Sequence, residues 1–380
     1  MLKLKKSNLS GEVLVPPSKS ILHREIIAGC LCEENSTIKN ISNISQDIEA
    51  TIDALTTLGA NIEYKENNIY CSAGNIFKKT KDVKIDCKES GTTLRILREF
   101  QRIYKGKIDF SGKETLLSRP KIDYIERENE IFIDCNVSSQ TLSGLLMFLP
   151  LTGNKYIINA DNLSSKQYID LTIHTLERHG IYTKNKEYKN FVCYPSEYKA
   201  KETEIEADFS QSANFLVANA LGAKINLKNL NLLSKQGDKK ILEILNFSPN
   251  IINASDIPDI VPALSVWACF RPERTIITNI ARLRHKESNR IEGILELNKL
   301  GANIIEEENR ITIEGCGENF NFKGEKVTAL NDHRIAMMFA ICSQRLEGEI
   351  IIDNEDCVKK SYPTFWQDFK KLGGKAEINS

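Results

Sequence analysis

Several things are missing from this 380-residue sequence, and each absence excludes a class. There is no charge excess: 51 Lys and Arg balance 51 Asp and Glu, so bulk attraction to nucleic acid is excluded. A local basic pocket stays open, because net charge is silent about clustering. The ten cysteines, from Cys30 to Cys357, contain no Cys-x-x-Cys pair. Cys30 and Cys32 are separated by one residue, which suits neither zinc nor a redox dithiol. Scattered thiols of this kind read as small buried hydrophobes in a reducing compartment. No His/Cys/Asp group has metal-ligand spacing, and neither G-x-x-x-x-G-K-[ST] nor G-x-G-x-x-G occurs, so no metal, nucleotide or other cofactor is expected. The most apolar stretch, Ile260–Phe270, is broken by Pro262 and is too short to span a bilayer. Met1-Leu2-Lys3-Leu4-Lys5-Lys6 leads into no apolar signal core. The expectation is a cytoplasmic protein with no membrane partner, long enough for two domains.

What is present is a recurring unit. A helical run ends in Gly and passes into a strand-like alternation, at Ile52–Ile62, Leu176–Tyr182, Leu295–Ile304 and Phe365–Gly374. Apolar residues at three- and four-residue spacing bury one helix face. The glycine supplies a left-handed C-cap, and the next residues alternate as a half-buried strand. The intervals from Gly59 to Gly180 and from Gly180 to Gly301 are equal. Weaker helical runs lie near Leu94–Tyr104 and Lys239–Phe247, so about six α/β units are expected. Ser234-Lys235-Gln236-Gly237-Asp238 reads as a polar break, and a hinge is expected there.

Polar clusters open several of the helices. In Pro17-Ser18-Lys19-Ser20-Ile21-Leu22-His23-Arg24, two prolines hold the approach extended, Ser18 stands at the N-cap, and Lys19, Ser20 and Arg24 follow within two turns. Free N–H groups, a hydroxyl, an ammonium and a guanidinium together suit a phosphate or carboxylate. Glu89-Ser90-Gly91-Thr92-Thr93-Leu94-Arg95 and Val137-Ser138-Ser139-Gln140-Thr141 repeat the theme, Gly91 allowing a ligand close to the backbone. Arg284-His285-Lys286-Glu287-Ser288-Asn289-Arg290 sets Lys286 and Arg290 four apart, as on one helix face, and Asn331-Asp332-His333-Arg334 opens another apolar helix. Lys360-Ser361-Tyr362-Pro363 precedes the last copy of the repeat. Singly, each reads equally well as an ordinary capped helix. Together they point to one composite site for anions.

In this order, from Val13 to about Leu372, the motifs resemble the 5-enolpyruvylshikimate-3-phosphate (EPSP) synthases. The resemblance implies an α/β fold of two similar domains, each of three βαβαββ units, with the active site in the inter-domain cleft. Residues 12–234 would form the first domain, and 1–11 with 235–380 the second, completed by the N-terminal strand. It implies transfer of the enolpyruvyl group of phosphoenolpyruvate (PEP) to the 5-hydroxyl of shikimate 3-phosphate, in the route to chorismate and aromatic amino acids. By residue-level resemblance Lys19, Asp259 and Glu287 are the catalytic candidates, Asp259 as base and Glu287 as proton donor or relay. Lys19, Ser20, Arg24, Ser138, Ser139, Gln140, Ser165, Tyr168, Asp259 and Lys286 would bind shikimate 3-phosphate. Lys19, Gly91, Thr92, Arg119, Gln140, Arg290, His333, Arg334 and Lys360 would bind PEP. No cofactor is implied, and a monomer is expected.

The chain departs from that pattern in places. Glu89 stands where many members have Asn, Pro17 replaces a usual Gly, Asn289 a usual Asp, and Arg282 an Asn of some members. Lys359 beside Lys360 leaves the register uncertain by one residue. Three rival readings are an enolpyruvyl transferase acting on UDP-N-acetylglucosamine, a non-catalytic anion binder, and an RNA-end binder. Ser20 and the Ser-Lys-Ser…His-Arg run favour shikimate, the presence of both Asp259 and Glu287 opposes the second, and neutral charge opposes the third.

Overall fold

The computed structural model describes residues 1–378. They form two compact units: an inserted unit, Pro17–Glu206, and a flanking unit, Met1–Pro16 with the chain from Ala207 onward. Strands β1 (Leu2–Lys5) and β2 (Ser10–Leu14) open the flanking unit.

The inserted unit then runs α1 (Lys19–Gly29), β3 (Ser36–Lys39), α2 (Gln46–Leu58), β4 (Asn61–Lys65), β5 (Asn68–Ser72), β6 (Val83–Asp86) and α3 (Gly91–Leu97), the last continued by a 3₁₀ turn at Arg98–Arg102. It goes on through β7 (Ile108–Ser111), the one-turn α4 (Glu114–Leu117), β8 (Tyr124–Arg127), β9 (Glu130–Asp134), α5 (Gln140–Phe148), β10 (Tyr156–Asp161), α6 (Lys166–Arg178), β11 (Thr183–Lys186), β12 (Asn190–Cys193) and β13 (Glu202–Glu204). Two of its sheets obey one rule. β13 lies parallel to β3, which is antiparallel to β5, which is antiparallel to β4. In the same way β9 is parallel to β10, and β10, β12 and β11 follow antiparallel, with β8 added beside β9. Each is a complete βαβαββ motif. The middle motif, β6-α3-β7-α4, is reduced to a two-stranded parallel pair with a single-turn second helix.

The flanking unit continues with α7 (Phe209–Ala220), β14 (Lys224–Lys228), α8 (Ile241–Phe247), β15 (Ile251–Asn253), α9 (Val261–Cys269), β16 (Thr275–Thr278), α10 (Arg290–Leu295), β17 (Asn303–Glu307) and β18 (Arg310–Glu314). After these come β19 (Phe322–Lys323), β20 (Lys326–Val327), α11 (His333–Cys342), β21 (Leu346–Glu347), β22 (Glu349–Ile352), α12 (Phe365–Lys371) and β23 (Lys375–Ile378). The order β15-β16-β18-β17 repeats the rule, and β20-β22-β1-β23 repeats it again with the N-terminal strand in third place. Here too the remaining motif is reduced, to the parallel pair β14-β2. The expected repeats are therefore present, two complete and one reduced in each unit.

The expected boundary at 12–234 is not where the units part. β2 is paired with β14, and Phe209, Phe215 and Val217 of α7 belong to the flanking core, so residues 207–234 side with that unit. The polar break at 234–238, where a hinge was expected, lies inside the flanking unit: Ser234, Gln236 and Asp238 are buried, and Gly237–Lys240 is a 3₁₀ turn leading into α8.

The four glycines of the sequence repeat all adopt positive φ, at +112° (Gly59), +82° (Gly180), +97° (Gly301) and +98° (Gly373). Each ends the second helix of a complete motif; the first three turn the chain into a hairpin, and Gly373 turns it into β23, which pairs with β1. In α2 the spacing puts Ile48, Thr51, Leu55 and Leu58 inside, and strand β9 alternates buried and exposed. Of the ten cysteines, all unpaired, nine are buried and Cys316 is exposed. Among the described residues no helix is long and apolar enough to cross a membrane. At Gly59 a Cβ would stand 3.2 Å from the Asn75 backbone. Gly59→Ala is therefore expected to lower stability by about 1–2 kcal/mol, the cost of an alanine in left-handed backbone, measured by urea unfolding.

Candidate active site

In the inserted unit, helices begin on the residues singled out from the sequence: Lys19 for α1, Gly91 for α3, Gln140 for α5, with Ser165 before α6. Their side chains interlock. Gln140 Nε2 donates to Thr92 Oγ1 at 2.9 Å, and Arg95 Nη1 donates to Gln140 Oε1 at 3.0 Å. Ser138 Oγ accepts from Gln140 N–H at 3.2 Å. The Arg119 guanidinium lies over Gly91, where a Cβ would stand 3.0 Å from Nη1. Its Nε and Nη2 are buried with no hydrogen-bond partner, which leaves donors for an anion. Lys19 Nζ pairs with Asp47 Oδ2 at 2.6 Å. Ser90 caps α3, accepting from Thr93 N–H at 3.2 Å, whereas Ser18 makes no side-chain cap, contrary to expectation.

Arg24 takes a different place from a surface phosphate clamp. It is 2% exposed and donates to Thr172 Oγ1 (2.8 Å), the Ser20 carbonyl (2.7 Å), the Tyr168 carbonyl (3.1 Å) and Ser143 Oγ (3.3 Å). It thus locks α1 to α5 and α6, and burial pulls its pKa down to about 10. Glu89, the residue out of pattern, is paired with Lys113 at 2.9 Å, so its charge is locally compensated.

In the flanking unit, Asp259 gathers the cations. Its Oδ1 lies 2.5 Å from Arg290 Nη1, 3.4 Å from Lys286 Nζ and 3.5 Å from Arg334 Nε. Burial would raise the Asp259 pKa, but these three charges hold it well below the usual carboxylate range. Arg290, 1% exposed, also bonds Asp332 Oδ2 through Nε at 2.8 Å and pairs with Glu287 through Nη2. Asp332 caps α11, accepting from Arg334 N–H at 2.8 Å, and so aims Arg334. Lys286 and Arg290 do not share a helix, as their spacing suggested. Ala281–His285 is a 3₁₀ turn and α10 begins only at Arg290; Asp259 is what unites them. Burial lowers the Lys286 pKa to about 8, although Asp259 opposes the shift. Lys360 is buried at the end of the turn Glu355–Lys360, while Lys359 points out to Asp356. His333 is fully buried, its Nδ1 3.7 Å from Asp332 Oδ1. Among the described residues no group of three His, Cys, Asp or Glu could hold a metal ion.

A sequence profile of the EPSP synthase (3-phosphoshikimate 1-carboxyvinyltransferase) family matches residues 4–127, 121–248 and 246–369. The chain belongs to the EPSP synthase family. A 3-phosphoshikimate 1-carboxyvinyltransferase of Clostridium perfringens is 40% identical over 416 aligned positions, covering 97% of each chain. One from Clostridioides difficile is 38% identical over 99% of this chain and 98% of its own. An EPSP synthase structure from Acinetobacter baumannii shares the fold, with a TM-score of 0.81 over 100% of this chain and 99% of that one, at 21% identity.

Several supporting residues carry no motif in the sequence. Asp47, the partner of Lys19, is one, whereas Asp332, the partner of Arg290, stands in the cluster Asn331–Arg334 already singled out. Asp238 was read only as part of a break. It is buried beside Ser210, which donates to it, and burial with the nearby Asp259 charge pushes its pKa up to about 7. Glu25, on α1 one position after Arg24, is 1% exposed and receives Thr175, Arg178, Thr203 and His179. Burial would lower the His179 pKa, but contacts with Cys32 and Glu25 raise it to about 9. Because the folded value exceeds the unfolded one, this stabilisation is complete below pH 6.5 and lost as pH rises through about 9. Chemical unfolding between pH 6 and 10 is expected to show that loss, and His179→Gln to flatten it.

Proposed function

We propose that this chain is a 3-phosphoshikimate 1-carboxyvinyltransferase. It would transfer the enolpyruvyl group of PEP to the 5-hydroxyl of shikimate 3-phosphate and release phosphate. Membership of the family supports the reaction, and the observation that carries it to residues is Asp259 held anionic against Lys286, Arg290 and Arg334 with Glu287 alongside. Both substrates are multiply anionic, and such cations match them.

In this reading the shikimate 5-oxygen adds to C2 of PEP as its proton passes to a base, while C3 takes a proton from an acid. The adduct then loses a C3 proton and phosphate, so one C–O bond is made and one broken. Asp259 orients and accepts from the shikimate hydroxyls, and Glu287 exchanges the proton at C3. Lys19, Ser20, Ser138, Ser139, Gln140, Ser165, Tyr168 and Lys286 hold shikimate 3-phosphate, with Arg24 positioning Ser20 and Tyr168. Lys19, Gly91, Thr92, Arg119, Gln140, Arg290, His333, Arg334 and Lys360 hold PEP and stabilise the phosphate that leaves. The chemistry requires positioning, proton transfer and charge stabilisation, with no cofactor. A cytoplasmic monomer is the proposed working form.

The deciding assay mixes the protein with shikimate 3-phosphate and PEP and follows phosphate. Release is expected; none above background, with turnover of UDP-N-acetylglucosamine instead, refutes the assignment. Glu287→Gln is expected to lower kcat by about 10²–10⁴-fold, the scale of a lost general acid–base group, with thermal unfolding little changed. Since Lys286 is a cation only below about pH 8, kcat/KM should fall as pH rises past that value. Lys286→Arg, which stays charged, should move that limb upward.

A further inference from the structure

The helices of the inserted unit follow a packing rule that is broken once. α2 packs against both α1 and α3, and α6 packs against both α5 and α1. The third pair differs: α3 and α5 pack directly on each other, and beside them the middle motif supplies only the four-residue α4. A cavity of about 720 Å³ opens there, walled by α3 with its 3₁₀ turn, by β7, by the segment 116–124 and by Thr141 of α5. That volume lies within the range of small-molecule sites.

The walls are of two kinds. Leu94, Phe110, Leu116 and Ile122 give an apolar side. Arg95, Arg98, Arg102, Arg119 and Lys121 give a cationic one, against Glu99, Asp123 and Glu126. Arg102 is already committed to Glu99, Glu126 and the Tyr124 hydroxyl. Among the described residues no ion pair uses Arg98, Arg119 or Lys121, and Nε and Nη2 of Arg119 are buried without a hydrogen-bond partner. The balance of charge is therefore positive, beside an apolar surface large enough for a ring.

We propose that this cavity is a second ligand site, for a small carboxylate with an apolar ring. The carboxylate would be held by Arg98 and Lys121, and the ligand would antagonise PEP through the shared wall residue Arg119. The antagonism rests on the PEP subsite proposed above; the binding does not.

The probe is 2-naphthoate, whose fluorescence reports binding to the full chain without turnover. Binding should be saturable, at least tenfold weaker in the double variant Arg98→Ser/Lys121→Ser, and weaker still for uncharged 2-naphthylmethanol. Circular dichroism and thermal unfolding check that the double variant is folded. In the enzyme assay naphthoate should raise KM for PEP severalfold at constant kcat, and the double variant should lose this effect while its own kinetics stay near those of the parent. Equal binding by the double variant, equal binding by the alcohol, or no binding at millimolar probe overturns the site. Naphthoate and PEP binding independently overturns the antagonism. Failure to release phosphate counts against the proposed reaction and leaves the fluorescence result intact.

Discussion

One buried guanidinium organises the flanking cluster. Arg290 meets Asp259, Glu287 and Asp332, three carboxylates from three separate segments, at 1% exposure. Three acids cannot share so little volume as anions unless a cation stands among them, and a buried cation needs hydrogen-bonding acceptors on most of its N–H groups. Arg290 satisfies both conditions at once. Burial alone would lower its pKa, yet the carboxylates raise it, so its charge is permanent. Everything reactive nearby inherits its position from this knot: Asp332 caps α11 and thereby aims Arg334, and Asp259 turns toward Lys286.

The fold was legible where the chain repeats a complete unit. Four helix–Gly–strand copies are visible in the sequence, and the four complete βαβαββ motifs carry those glycines at positive φ. The two weak runs, Leu94–Tyr104 and Lys239–Phe247, fall in the two reduced motifs, where the second helix is short or its hairpin absent and the periodic signal has little to act on. The boundary was misplaced for a related reason. A turn-like composition at 234–238 is indistinguishable in sequence from a buried 3₁₀ turn, and the pairing of β2 with β14 spans more than two hundred residues.

The candidate site was legible as chemistry and less so as geometry. Gly91, Thr92 and Gln140 fall in one cluster of the inserted unit, with Lys19 paired to Asp47 in the same unit, and Asp259, Lys286, Glu287, Arg290 and Arg334 fall in one cluster of the flanking unit. What spacing alone misjudged was how each cation is used. Arg24 is absorbed by the Ser20 carbonyl on its own helix and by Thr172, Ser143 and the Tyr168 carbonyl, partners contributed by α5 and α6 more than a hundred residues away. Lys286 and Arg290 look like one helix face but meet only through Asp259. Asp238 and Glu25 carry no motif; burial defines them, and burial is a tertiary property.

The placement of β1 has a consequence for how the molecule is made. Leu4 lies between Ile350 and Ala376, so β1 is an inner strand whose two neighbours follow it by more than three hundred residues. The inserted unit is contiguous in sequence and has its own core, so it can fold while the ribosome is still at work. The flanking unit must keep β1 and β2 unpaired through that interval and then close loops of more than three hundred residues for β1 and more than two hundred for β2. Its late assembly is the slow, exposed stage of the chain's biogenesis, set by topology alone.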